Sequence, residues 1–166
     1  MISFSVIIPN YNHSTFLKQR IDSVLNQTYP GFELIILDDC SSDNSRGVIE
    51  TYRGHEKISH IIYNERNSGS PFLQWKKGIG LTGNDWIWIA ESDDFADPSF
   101  LQEAALAIKN HPATGIFYSD SFVVNEAGEK IDERFSLRKN NIFHTEKWSH
   151  DYFTEGIHEI NQYLKF

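Results

Sequence analysis

The sequence predicts a Rossmann-like α/β fold, in which a mainly parallel sheet is flanked by helices on both faces. Short apolar runs rich in β-branched residues alternate at least four times with segments of helical periodicity along the 166 residues, which is the pattern of repeated βαβ units. Three of these apolar runs end in clusters of polar residues. Such clusters meet at the carboxyl edge of a parallel sheet, where ligands bind, so we expect the functional site there.

The composition indicates a compact domain that handles neither nucleic acid nor disulfide chemistry. Hydrophobic residues make up 40% and aromatic residues 14%, enough to bury a core, and the net charge is −8. That charge argues against a nucleic-acid partner, and it means that a phosphate-bearing ligand needs a metal ion or a few placed cations. Cys40 is the only cysteine, and no apolar run approaches the ~20 residues that span a bilayer. We therefore expect a cytoplasmic protein, with peripheral docking at the inner membrane left open.

The first half of the chain predicts three strands and two helices. Residues 4–8, 32–37 and 58–63 are short apolar runs of the strand type. Residues 15–27 and 44–53 are predicted as helices, because the first carries its apolar side chains at helical spacing and the second has Ser and Asp available as caps. A turn sequence with Pro and Gly ends the first of these helices.

The second half begins with two helices around a fourth strand. A helix over residues 72–81 follows a Gly- and Ser-containing turn, and residues 86–90 form another apolar strand. Asp97 as N-cap and Pro98 as the first helical residue then open a helix that runs to about Lys109.

The last part of the chain is less periodic. Residues 116–124 are predicted as a fifth strand, followed by a turn at 125–128. A final amphipathic stretch contains Ile157, Ile160 and Leu164. The sequence stops inside this stretch without a Gly or Pro stop signal, so we expect a truncated end that exposes apolar surface and self-associates.

The polar clusters at three strand ends suit the binding of a nucleoside diphosphate. Asp93 and Asp94 are adjacent carboxylates after the fourth strand, and hard oxygen ligands of this kind suit Mg²⁺ or Mn²⁺; a loop of solvated acids is the simpler alternative. Asp39 after the second strand either accepts a bond from a ribose hydroxyl or a base N–H, or is an ordinary loop acid. Tyr11 after the first strand either stacks on a base or only wedges its loop.

Other kinds of site lack the residues that they need. Gly78 and Gly80 lie at the end of a helix rather than between a strand and a helix, so they form no dinucleotide-binding fingerprint. The seven histidines are scattered without a His-x-x-x-His pair or a cysteine partner, so zinc is not expected. A phosphorelay receiver would need its acidic pair after the first strand, where Pro9-Asn10-Tyr11-Asn12 stands.

In order and spacing, these motifs resemble those of family 2 glycosyltransferases of the GT-A fold. The resemblance runs from about Phe4 to Gly128 and rests on the motifs at residues 5–12, 23–28, 32–43, 67–69 and 86–94. The chain is therefore identified as a member of that family. The resemblance implies a nucleotide-sugar-binding domain over residues 1–130 and the start of an acceptor-side region over residues 131–166.

The resemblance also implies an activity and a set of site residues. The activity is inverting, hexosyltransferase-type transfer from a nucleoside-diphosphate sugar, with a UDP-sugar favoured, to a carbohydrate or lipid-linked acceptor in cell-surface polysaccharide synthesis; a non-catalytic nucleotide-binding domain is the alternative. Tyr11 would lie against the nucleobase and Asp39 would bond to it. Asp93 would approach the ribose or the metal, and Asp94, or Asp93, would bind a divalent ion, Mn²⁺ or Mg²⁺. The other nucleotide-binding residues implied are Pro9, Asn12, Asn67 and Lys77.

Two positions depart from the family pattern. Glu91 stands where many members have the first Asp of an Asp-x-Asp-Asp motif. Trp75-Lys76 stands where many members have Arg-Asn, so Lys76 or Lys77 would have to supply any cation near the phosphates, unless both are solvated helix residues. The family's general base lies well downstream of the metal motif, so we expect the catalytic base outside this chain.

Overall fold

The computed structural model describes residues 1–163, apart from the side chains at positions 132, 133 and 160–163. It divides into two compact units, Met1–Phe117 and a second unit that begins at Tyr118. The division comes earlier in the chain than the boundary predicted at residue 130. Within the described range, no helix is long and apolar enough to cross a bilayer.

The first unit contains a parallel four-stranded sheet, as the sequence predicts. Its strands stand in the order β3-β2-β1-β4, and their bounds are β1 Phe4–Asn10, β2 Phe32–Asp38, β3 Ile58–Tyr63 and β4 Trp86–Ile89. The strands β1 and β2 are central, which explains why almost every residue in them is buried. Because all four strands run the same way, their carboxyl ends share one edge, which we call the rim.

Helices cover both faces of this sheet, in agreement with the prediction. They are α1 Ser14–Leu25, α2 Ser45–Glu50, α3 Pro71–Ile79 and α4 Phe100–Asn110. Alternate residues of β1 point to opposite faces. Val6 and Ile8 join a core with the apolar side chains of α1, α2 and α4, whereas Ile7 joins a smaller core on the other face. There α3 approaches so closely that a Cβ atom on Gly78 would stand 2.6 Å from the Ile7 side chain.

The start of α4 differs from the prediction. The helix begins at Phe100 with Ser99 as N-cap, not at Pro98 with Asp97 as N-cap. The Asp97 carboxylate accepts hydrogen bonds from the backbone N–H and the hydroxyl of Ser99, at 2.8 and 2.6 Å. Asp97 therefore closes a turn just before the helix instead of capping it.

The predicted fifth strand over residues 116–124 is wrong. Only Phe122–Val124 is a strand, β5, and it pairs antiparallel with β6, Lys130–Arg134, in a separate two-stranded sheet of the second unit. Within the apolar run, the Asp120 carboxylate accepts bonds from the backbone N–H and the hydroxyl of Ser136. Residues 118–121 are therefore committed to the start of the following helix and do not form a strand.

The rest of the second unit is helical. It contains α5, Phe135–Phe143, a short 3-10 turn, Lys147–Ser149, and α6, Gly156–Tyr163. Of the predicted amphipathic stretch, Ile157 lies in α6, while the side chain of Ile160 and all of Leu164 lie outside the described residues.

Candidate functional site

The loops after β1 and β2 are bonded to each other at the rim. Asn10 ends β1 and donates to the Asp38 carboxylate at 2.8 Å, directly across the strand register. Asn12 adopts a left-handed backbone conformation with φ 57°, and its side-chain oxygen accepts a bond from the Ser42 N–H at 2.7 Å. These bonds hold the backbone on both sides of Tyr11, which is itself 48% exposed.

Two of the predicted nucleotide-binding residues have structural roles here, Pro9 near the end of β1 and Asn12 in the loop that follows. Pro9 is buried near the end of β1. Proline has no backbone N–H, but no hydrogen bond to β4 is lost at Pro9, because β4 pairs with β1 only as far as Ile7. The backbone around Tyr11 is therefore shaped by its two neighbours, and Tyr11 presents the exposed ring.

Asp43 fastens the beginnings of α1 and α2 to the same loop. Its carboxylate accepts bonds from the backbone N–H of Ser14 at 2.8 Å and of Ser45 at 2.9 Å. Although partial burial raises the pKa of Asp43, hydrogen bonds from the side chains and backbone of Ser45 and Ser14 lower it to about 2. The carboxylate is therefore ionised at neutral pH and stabilises both helix starts.

Asp39 is buried at the centre of the rim and its carboxylate is already hydrogen-bonded on both oxygens. Oδ1 accepts bonds from the side chains of Asn64 at 2.6 Å and Gln74 at 2.9 Å. Oδ2 accepts the hydroxyl of Ser68 at 2.7 Å, and the Ser68 N–H lies within 3.0 Å of both oxygens. The carboxylate therefore holds the turn after β3 and the helix α3 in place, a role that the sequence analysis did not include.

Asn67 and Lys77 lie around the same carboxylate. Asn67 donates to the backbone oxygen of Asp39 at 3.1 Å and accepts from the N–H of Gly69, which has φ 73°. Lys77 donates to the side-chain oxygen of Asn64, and the amide N–H₂ of Asn64 donates to Asp39. The structure therefore brings Asn67 and Lys77 together with Asp39, through the turn after β3.

The acidic loop, residues 91–94, follows β4 on the rim. Asp93 and Asp94 are both exposed, and neither carboxylate accepts a hydrogen bond from the described residues. Among all the residues that the structure describes, no three His, Cys, Asp or Glu side chains lie close enough together to hold a metal ion. Two free, adjacent carboxylates can supply oxygen ligands to a divalent ion whose remaining ligands come from elsewhere.

The two departures from the family pattern contact each other. The indole N–H of Trp75 donates to the Glu91 carboxylate at 2.9 Å. Burial and the nearby carboxylates of the acidic loop raise the pKa of Glu91, against the lowering effect of the Trp75 bond. Glu91 therefore turns toward α3, and of the three carboxylates in the acidic loop it is the one with a hydrogen-bond donor from the described residues.

Helix α1 supports the acidic loop from below with two residues that the sequence analysis missed. Arg20 is 3% exposed and donates through Nε to the Glu91 backbone oxygen at 2.6 Å. His13 and Ser92 are bonded through Nδ1 and Oγ at 2.7 Å. Arg20 had a visible signal, because it interrupts the apolar stripe formed by the buried residues Leu17, Ile21 and Val24 of α1.

Burial lowers the pKa of Arg20 to about 10, against the raising effect of the three carboxylates of the acidic loop. The guanidinium therefore stays charged at neutral pH. Its Nη2 lies 3.8 Å from the Asp94 carboxylate, whose side chain is 73% exposed. The rim thus combines a buried cation below with exposed carboxylates above.

Comparison with known proteins identifies the family. The family model of glycosyl transferase family 2 matches residues 5–163. The chain is 31% identical over 115 residues to the poly(ribitol-phosphate) β-N-acetylglucosaminyltransferase TarS of Staphylococcus aureus, covering 67% of this chain and 20% of TarS. It is 34% identical over 90 residues to TuaG of Bacillus subtilis, which is named for teichuronic acid biosynthesis, covering 54% of this chain and 35% of TuaG.

Structural comparison agrees with this. The 1–349 segment of TarS in complex with UDP-GlcNAc matches with a TM-score of 0.61 at 26% identity, covering 74% of this chain and 40% of that one. The chain thus spans between a fifth and two-fifths of the length of these relatives. The likeness confirms the predicted GT-A fold. Because the family model matches nearly the whole sequence, the chain belongs to glycosyl transferase family 2.

Proposed function

We propose that this chain binds the nucleoside-diphosphate sugar of an inverting hexosyltransferase, with a UDP-sugar favoured over other donors. The observation that carries the proposal is the rim itself. It places an exposed aromatic ring, Tyr11, on the same edge of the sheet as two exposed adjacent carboxylates, Asp93 and Asp94. The choice of uridine is supported by the similarity to TarS, whose 1–349 segment has been solved with UDP-GlcNAc.

The nucleobase would bind against Tyr11, with Asp39 as its hydrogen-bond acceptor. An incoming base N–H would have to share an oxygen with the donors already there, or displace the Ser68 hydroxyl, because both oxygens of Asp39 are occupied. Asn67 and Lys77 would complete the site beside Asp39, where their bonds already place them. Binding of the base would therefore require a rearrangement of the donors around Asp39.

A divalent ion, Mn²⁺ or Mg²⁺, fits the acidic loop. Asp93 and Asp94 offer exposed oxygens without competing hydrogen bonds from the described residues, while the diphosphate would supply the other ligands. When bound, such an ion neutralises the diphosphate that leaves the anomeric carbon. Such an ion is needed because the net charge of −8 would otherwise repel a diphosphate. The chain's own residues bind and orient the donor.

The proposed acceptor is based on the names of the relatives. TarS is named for poly(ribitol-phosphate) and TuaG for teichuronic acid biosynthesis. We propose on this basis a carbohydrate or lipid-linked acceptor of cell-surface polysaccharide synthesis. The single cysteine suits a reducing, cytoplasmic site of reaction, and we propose peripheral association at the inner membrane. Cell fractionation would test the location, and recovery only from a secreted fraction would contradict it.

Ligand-dependent thermal stability tests the proposal. We expect UDP with Mn²⁺ to raise the melting temperature more than UDP with EDTA, because a ligand at 100 times its Kd adds about 2.7 kcal/mol of stability. Asp94→Asn should remove the difference between Mn²⁺ and EDTA. Asp85→Asn is the matched control, since Asp85 is exposed just before β4, at the opposite edge of the sheet.

The nucleotide panel decides the outcome. GDP and dTDP at the same concentrations should give smaller shifts than UDP. If no nucleoside diphosphate changes the melting temperature, the proposed donor site is wrong. If Asp85→Asn abolishes the Mn²⁺ effect as fully as Asp94→Asn does, the metal does not bind at the acidic loop.

A further inference from the structure

Arg20 occupies a position where the fold alone calls for an apolar side chain. It lies on the buried stripe of α1, three residues after Leu17 and four before Val24. Its Nη1 is buried without a hydrogen-bond partner among the described residues. A buried charge with an unpaired nitrogen is costly, because its desolvation is only partly compensated by its contacts. Packing therefore does not explain why an arginine stands here.

The contacts of Arg20 all point to the acidic loop and the strand that leads into it. Its strongest contact is the bond from Nε to the Glu91 backbone oxygen, at 2.6 Å. Its guanidinium carbon lies 5.6 Å from the ring centre of Trp88 in β4. Nη2 is 3.8 Å from the Asp94 carboxylate, which is too long for a hydrogen bond and leaves that carboxylate available to another cation.

The same helix face of α1 provides a second anchor. His13, at the start of α1, bonds through Nδ1 to the hydroxyl of Ser92 at 2.7 Å, and Ser92 is 2% exposed. The acidic loop is thus held at two successive residues, by its Glu91 backbone and by its Ser92 side chain. Asp93 and Asp94, which follow directly, are exposed and accept no hydrogen bond from the described residues.

We propose that Arg20 and His13 are positioning residues, which hold the acidic loop in the conformation that presents Asp93 and Asp94 to a divalent ion. This inference rests on the proposed function, because it concerns the ion that accompanies the donor. Groups that orient metal ligands without touching the metal typically change its affinity by about 10- to 100-fold when they are replaced. Arg20 in addition supplies a fixed positive charge that offsets the repulsion between the carboxylates of the loop.

The test compares UDP affinity with and without Mn²⁺ in the full chain. Isothermal titration with UDP in Mn²⁺ and in EDTA gives the factor by which the metal strengthens binding. In Arg20→Met this factor should fall by about 10- to 100-fold, or to one if the wild-type factor is smaller. UDP affinity in EDTA should stay unchanged, because Arg20 contacts neither Tyr11 nor Asp39.

The melting temperature in EDTA shows how far Arg20 also stabilises the fold. We expect a moderate fall in Arg20→Met, because the bond to the Glu91 carbonyl and the positive charge beside the loop carboxylates are lost. Affinities are therefore compared at a temperature at which both proteins are folded, and an unchanged UDP affinity in EDTA separates positioning from a structural role. Arg20→Lys keeps the charge without the planar set of donors, so it should retain an intermediate metal effect. Arg53→Met is the matched control, because Arg53 pairs with Glu50 at the end of α2.

Each result has a defined meaning. If wild-type protein binds UDP equally in Mn²⁺ and EDTA, the proposed metal site fails, whatever Arg20 does. If the wild-type factor is present and Arg20→Met keeps it, or tightens it, the positioning role is overturned. Should Arg20→Met fail to fold, Arg20→Lys and His13→Ala decide, and an unchanged Mn²⁺ factor in both overturns the proposal.

Discussion

Replacing Asp39 tests whether one carboxylate holds the rim together. The Asp39→Ala substitution removes the acceptor for three neighbours at once. These are the Asn64 side chain at 2.6 Å, the Gln74 side chain at 2.9 Å, and the Ser68 N–H and hydroxyl between 2.7 and 3.0 Å. Gln74 is 3% exposed, so water cannot easily replace its lost partner.

The size of the effect follows from these contacts. A hydrogen bond to a charged group contributes about 1.5–3 kcal/mol, and a buried donor left unpaired costs about 1–3 kcal/mol. Because Asn64 and Ser68 are only partly buried, their share is discounted. We expect Asp39→Ala to reduce the free energy of unfolding by about 3–5 kcal/mol, which is large for a single substitution.

Asp39→Asn is the informative companion. An Asn side chain can keep one oxygen toward Asn64 and Gln74 and turn its amide N–H₂ toward the Ser68 hydroxyl, which can accept as well as donate. The expected loss is therefore about 1–2 kcal/mol, mainly the charge. This variant keeps the fold, so UDP affinity is measured in it, and the loss of the charged acceptor should weaken binding by about one to two decades.

Urea unfolding followed by tryptophan fluorescence and far-ultraviolet circular dichroism provides the measurement. With a slope of about 2 kcal/mol/M, the midpoint of Asp39→Ala should fall by roughly 1.5–2.5 M and that of Asp39→Asn by less than 1 M. If Asp39→Ala unfolds at the wild-type midpoint, the carboxylate does not hold the turn after β3, and the derivation from its hydrogen bonds is refuted.

Three further substitutions test other parts of the first unit. The pKa of Asp43 is about 2 in the folded protein and 3.8 in the unfolded chain, so the stability that it contributes is present above about pH 4 and is lost as the pH falls toward 2. In Asp43→Asn the melting temperature should therefore depend less on pH between about 4 and 2, and the same pH dependence as in the wild type would contradict this. Gly78→Ala should cost about 1–3 kcal/mol because its new methyl group meets Ile7, and Ile7→Ala in the same chain should recover part of that loss in urea unfolding; additive losses would contradict the clash. Gln27→Leu removes the side-chain acceptor, 2.9 Å away, of the buried N–H of Leu101 at the start of α4, so it should cost about 1–3 kcal/mol by the same assay, and a cost below about 0.5 kcal/mol would show that the N–H finds another partner.

The elements of the sheet and its helices could be predicted because their signals are local. The four strands and the helices between them have apolar patterns that repeat within a few residues, and the structure follows them closely. Residues 116–124 have the composition of a strand, but the hydrogen bonds of Asp120 determine the conformation in the middle of this segment. That carboxylate bonds to Ser136, 16 residues later, and a pattern read in a short window carries no information about such a partner.

The meeting of the polar clusters at one edge of the sheet was predicted, whereas the bonds between their residues were not. The order of the motifs along a parallel sheet brings Tyr11, Asp39 and Asp93 to one edge without further information. The partners of Asp39 lie 25 to 35 residues away in sequence, and Arg20 reaches Glu91 over 71 residues. Sequence spacing does not specify contacts of that range, because they depend on how α1 and α3 pack against the sheet.

The bond between Trp75 and Glu91 has a consequence for how this chain can change. At both positions it departs from the pattern of many family members, and the two departures are partners across 16 residues. Glu91→Asp alone would shorten the acceptor and leave the indole N–H without its partner, whereas Trp75→Arg alone would replace a neutral donor by a charged one that a carboxylate also accepts. Loss of the bond therefore depends on which of the two residues changes first, and a change at Glu91 is the costlier first step. Among homologous sequences, we expect Trp at the position of Trp75 to occur together with Glu at the position of Glu91.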